Sequence, residues 1–68
     1  MPTRRSDSGR EILIEIVTIG AYAKASAIDA ATGTEVSVAG PANADRASLE
    51  AAALQKLEFV LKKQAKKN

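Results

Sequence analysis

A chain of 68 residues makes one small domain, and with no Cys and no His it lacks disulfides, thiolate chemistry and the commonest zinc ligands. Its formal charge of +2 is unevenly laid out: Arg4, Arg5 and Arg10 outweigh Asp7 at the start, and Lys62, Lys63, Lys66 and Lys67 crowd the end. Between them Glu11, Glu15, Asp29, Glu35, Asp45, Glu50 and Glu58 outnumber Lys24, Arg46 and Lys56, so a nucleic acid or an acidic membrane surface would meet the ends rather than the body.

Residues 1–9 are polar and aperiodic, which predicts a flexible N-terminal tail. The arginines, the apolar stretch from Ile12 to Ala23 and the small residues Ala25-Ser26-Ala27 imitate a secretory signal. Glu11 sits at the start of the apolar region, Glu15 sits inside it and Lys24 follows it, so the stretch reads as structure, and the expected location is the cytoplasm. No apolar run is long enough to span a bilayer, so no membrane partner is expected.

Glu11 to Ile19 is β-branched and apolar around a central Glu15, the pattern of a strand. Gly20-Ala21 suits a two-residue hairpin turn, and Tyr22 to Asp29 is the second strand. Gly33 can take a left-handed conformation to close the next turn, and Glu35 to Ala39 is the third strand. Gly40-Pro41 is expected to end it, because Pro cannot donate to a ladder. Asn43 or Asp45 can cap a helix over about Asp45 to Gln64. Ala51-Ala52-Ala53 favours that helix, and the lysines near its end complement its dipole.

These elements predict an α+β fold, a three-stranded antiparallel β-meander with one C-terminal α-helix packed on one face (β-β-β-α). The single domain covers 10–65, and 66–68 form a frayed basic C-terminus. A tight turn at Gly20-Ala21 pairs Ile19 with Tyr22 and Leu13 with Ile28. One sheet face then carries Ile12, Ile14, Ile16, Ala23, Ala25, Ala27, Val36 and Val38. Alanine in the central strand lets a helix come close. Leu49, Ala53, Leu54, Leu57, Val60 and Leu61 form the matching helical stripe.

One helix covers only one side of a sheet. The other side shows Leu13, Val17, Ile19, Tyr22 and Ile28, with Glu15, Lys24, Ser26 and Glu35 between them, and Phe59 falls outside the helix stripe. The plainer reading is a half-polar solvent face touched by the tail. The sharper one is a homodimer interface, sheet to sheet or edge to edge, with Leu13, Val17, Ile19, Tyr22, Ile28 and Phe59 as contacts, because so small a core gains from association. An unidentified protein in a larger assembly could use the same residues.

Chemistry is scarce. The isolated glycines make no phosphate loop, and no cofactor motif is present. Asp29 and Glu35 flank one hairpin, but two carboxylates are a poor metal site and are expected to keep the strand ends solvated. Ser26, Ser37, Thr18, Thr32 and Thr34 have no His or Cys to activate them, so no catalytic residue emerges and no enzyme is expected. Arg4, Arg5, Lys62, Lys63, Lys66 and Lys67 could contact phosphates, which is the alternative reading of a weak nucleic-acid-binding module. The plainer view is a set of solubilising ends, since Tyr22 is the only aromatic on the sheet and stacking platforms use several.

The run Ala27-Ile28-Asp29-Ala30-Ala31-Thr32-Gly33-Thr34-Glu35-Val36, then Ala39-Gly40-Pro41-Ala42, then Leu49 to Leu57, resembles a family of very short, uncharacterised bacterial proteins, a domain of unknown function. The resemblance runs from about Glu11 nearly to the end and implies no activity. In architecture the strands and helix are also similar to the carboxy-terminal part of double-stranded RNA-binding domains. Those open with an extra helix, absent here, and place lysines where this chain has Ala44-Asp45-Arg46-Ala47-Ser48.

Overall fold

Two glycines set the path of the sheet. The structure, a computed structural model, describes residues 3–5 and 11–65. Strand β2 (Glu11–Ile19) turns back at Gly20, whose φ is +57°, while Ala21 keeps a negative φ, and β3 (Tyr22–Asp29) returns alongside. Positive φ at the first central residue alone is the type II′ pattern, whose twist matches that of the paired strands. The register is the expected one, with Ile19 opposite Tyr22 and Leu13 opposite Ile28. Gly33, at φ +78°, lets the chain reverse again into β4 (Glu35–Pro41). That turn is closed by Asp29 N–H to Thr34 O and Gly33 N–H to Asp29 O, both at 2.8 Å. Val36 then lies beside Ala27 and Val38 beside Ala25.

Helix α1 (Arg46–Ala65) follows. The Asp45 carbonyl accepts the first helical bond from Leu49 N–H at 3.1 Å, and its Oδ2 accepts from the Ser48 hydroxyl at 3.1 Å, so Asp45 is the cap. Leu49, Ala53, Leu57 and Leu61, spaced four apart, are buried and meet Ile12, Ile14, Ala23, Ala25 and Ala27, with Ile16, Val36, Val38 and Leu54 around them. The helix rests mainly on β3 and β4. Alanines in β3 allow this, as does Gly40, where a Cβ would stand only 3.1 Å from Leu49 Cδ2. The chain thus forms the expected three-stranded meander covered on one face by one C-terminal helix.

Three details differ from the sequence reading. Thr3–Arg5, inside the segment assigned to a tail, forms β1 antiparallel to Glu11–Leu13, giving the sheet order β1-β2-β3-β4. Three backbone pairings on a sheet edge need no help from composition, which is why polarity alone did not reveal them. The rest of the expected tail, Arg10 and the basic 66–68 lie outside the described residues. The third meander strand runs on through Gly40 and Pro41, opposite Ala23 and Tyr22. Lys56 Nζ donates to Ser37 O at 3.1 Å, so Ser37 turns its backbone groups outward, and alternation turns those of Pro41 outward too. The missing Pro41 N–H faces the open edge and costs no ladder bond.

Asp29 is the third. It is fully buried rather than a solvated strand end. Alternation from Ala27 puts it on the helix side of β3, opposite Ile12. The Thr32 hydroxyl donates to its Oδ2 at 2.7 Å, a bond that offsets part of the cost of burial. Thr32 Oγ1 also accepts from Thr34 N–H at 3.2 Å and lies 2.8 Å from Thr34 Oγ1. Thr34 Oγ1 in turn reaches Gln64 Oε1 at 3.3 Å, tying the β3–β4 turn to the last turn of the helix.

Candidate interaction surface

With the helix on one face, the other face belongs to the alternate residues of the same strands. On β2 these are Leu13, Glu15, Val17 and Ile19, and on β3 they are Tyr22, Lys24, Ser26 and Ile28. Their exposure divides the face in two. Leu13 and Ile28 are cross-strand neighbours at the β3–β4 turn end, and each is half-buried. Val17, Ile19 and Tyr22 sit at the β2–β3 turn end and are 37%, 47% and 46% exposed. Ile19 and Tyr22 are directly paired, and Val17 lies one step along the same face, so the three form a continuous apolar corner. Glu15 and Lys24 border it. Ser26 is 5% exposed despite facing away from the helix.

Phe59 is not part of this corner. It is 61% exposed on the helix, which packs on the opposite face, and Lys63 Nζ stands 5.4 Å from its ring centroid. That is cation–π range, with the two residues one helical turn apart. The structure therefore brings together Val17, Ile19 and Tyr22, leaves Leu13 and Ile28 beside them but shaded, and sets Phe59 on the far side.

The basic residues are drawn together by the topology. Arg4 and Arg5 lie in β1 at the register positions of Ile12 and Glu11. Those β2 residues adjoin Asp29 and Ala30, where the β3–β4 turn starts, and that turn touches Gln64 at the end of the helix. Lys62 and Lys63 are exposed just before Gln64. The segment carrying Arg4 and Arg5 and the one carrying Lys62 and Lys63 thus share one end of the molecule. Lys66 and Lys67 lie outside the described residues. Among the described residues no three His, Cys, Asp or Glu gather where a metal ion would be held, and no helix is long and apolar enough to cross a membrane.

A family model described as Domain of unknown function (DUF6898) matches residues 9–64. The chain belongs to this family. The DUF6898 match takes in β2, β3, β4 and nearly all of α1, while β1 lies before it. It therefore spans the apolar corner, the buried Asp29 and the capped helix together, and it carries no activity with it. No curated protein and no solved structure matches the chain.

Signals for the corner were present in the strand alternation. What alternation could not reveal is the shading of Leu13 and Ile28, which depends on their neighbours across strands. Asp29 was missed as a structural residue although the same alternation places it inward.

Proposed function

We propose that this chain is a small non-enzymatic interaction module that associates with a second copy of itself through the sheet face its helix leaves bare, in the cytoplasm. The supporting observation is the apolar corner of Val17, Ile19 and Tyr22, exposed together on a domain whose own core is small. A cytoplasmic location rests on the acidic residues that break the signal-like stretch, Glu11 and Glu15. Val17→Asp tests the association. It places a charge on the exposed corner and disturbs no buried group, so the fold should remain while the weight-average mass at high micromolar concentration falls towards that of one chain. A wild-type protein that is monomeric at that concentration sinks the proposal.

A second reading has one observation in its favour: both basic segments lie at one end of the fold. It makes that end a weak, sequence-indifferent contact for nucleic-acid phosphates. Binding of a short mixed-sequence RNA or DNA should then weaken steeply with salt. It should be lost when Lys62, Lys63, Lys66 and Lys67 are changed to Gln. Binding that ignores salt would refute it.

A further inference from the structure

Helix α1 buries one side and presents the other to solvent. Leu49, Ala53, Leu57 and Leu61 pack into the core. At about 3.6 residues per turn, Ser48, Ala52, Gln55, Phe59 and Lys62 fall together on the opposite side, and all five are exposed. Phe59 is bare at 61%. Lys62 and Lys63 follow it by one turn, both exposed, and Lys63 Nζ stands over the ring at 5.4 Å from its centroid. One ammonium can cover only one face of a ring, so the second face is left for another group. The same spacing turns the helix carboxylates Glu50 and Glu58 away from this ridge, and both are half-buried. The later part of the ridge is therefore one bare aromatic ring set among cations.

We propose that this ridge binds single-stranded nucleic acid, with one base stacked on the free face of Phe59 and the neighbouring phosphates on Lys62 and Lys63. The inference rests on the second reading above, contact with nucleic-acid phosphates, and adds the base-binding group that reading lacked. Charge complementarity selects a polyanion as the occupant. The form of the ridge selects among polyanions. A membrane surface would take the apolar side of an amphipathic helix, and here that side is packed on the sheet, leaving a single ring to insert. An acidic peptide would find the lysines, but a helix ridge is convex and gives its side chains no groove. A duplex keeps the faces of its bases inside its own stack. An unpaired base offers a flat face with phosphates beside it, which one ring and two adjacent ammonium groups can meet together. Every base has such a face, so the contact tolerates any sequence. Further along, the strand reaches the end of the molecule that also holds the β1 segment carrying Arg4 and Arg5. The apolar corner lies on the opposite side of the sheet, so self-association there leaves this ridge open.

The test separates the ring from the charges. The full chain is titrated into a short labelled single-stranded DNA of mixed sequence at low salt, and binding is followed by fluorescence anisotropy. Phe59→Ala should raise Kd at least about fivefold, with an unchanged circular dichroism spectrum, because the side chain is exposed. Phe59→Trp should bind at least as tightly as wild type. Changing Lys62 and Lys63 to Gln should reduce the slope of log affinity against log salt by about 0.7 for each lysine. An abasic strand of the same length, which keeps the phosphates and lacks the bases, should bind wild type and Phe59→Ala alike. Salt-sensitive binding that Phe59→Ala leaves unchanged overturns the stacking site and leaves phosphate contact alone. So does an abasic strand that binds wild type as tightly as the mixed-sequence one. Vesicles of phosphatidylserine and phosphatidylcholine that bind as strongly as the DNA, and are lost with Phe59→Ala, overturn it in favour of a membrane. A wild type that binds no strand at low salt overturns both this inference and the phosphate-contact reading.

Discussion

Leu57→Ala should remove most of the stability of this domain. Leu57 is fully buried on the helix stripe. Truncation removes about three carbon groups, worth roughly 0.8 kcal/mol each by transfer. The cavity adds to that, and here it cannot close easily. Ala23, Ala25, Ala27 and Ala53 share the cluster with Leu57, and their methyl groups are fixed to the backbone with no rotamer to swing inwards. The total is about 3 kcal/mol, within the usual range for such truncations. A core of this size supplies on the order of 3–5 kcal/mol in all. Urea titration followed by helical circular dichroism should show wild type with a folded baseline and Leu57→Ala at or near its midpoint without urea. Phe59→Ala, 61% exposed, should titrate like wild type. A Leu57→Ala loss below about 1 kcal/mol would refute the packing argument.

Gly33→Ala should destabilise by about 1 kcal/mol, because the residue sits at φ +78° in open space and the whole cost is backbone strain; Gly33→Asn should cost less by the same titration. Asp29→Ala should lose about 2 kcal/mol, as it removes the buried acceptor of the Thr32 hydroxyl. Glu35→Ala, exposed at the neighbouring strand start, should change stability by less than about 0.5 kcal/mol, and equal effects at the two sites would contradict the structural role given to Asp29.

Alternation and spacing carried most of the architecture. Period-two patterning in Ile12, Ile14, Ile16 and in Ala23, Ala25, Ala27 keeps the apolar set on one face, and a slip of one residue would expose all of it. Gly20 and Gly33 mark the only places in the meander where the backbone takes positive φ. The helix stripe follows from 3.6-residue spacing, and Asp45 from the chemistry of caps. These are local properties, so the sequence by itself determined them: strands, turns, helix and the face each buries.

Tertiary structure decided the rest, because the remaining outcomes depend on neighbours distant along the chain. Pro41 stays in a strand because Tyr22 pairs with it on its inner side and its missing N–H faces away from β3. Thr3–Arg5 pairs because the backbone groups of β2 that turn away from β3 can bond it. Asp29 is tolerated inside because Thr32 comes round the turn to bond it. Leu13 and Ile28 are half-buried while Val17, Ile19 and Tyr22 stand clear. Whether an edge is blocked or open, and whether a side chain is shaded or bare, is a property of pairs of strands, and only the folded sheet brings those pairs together.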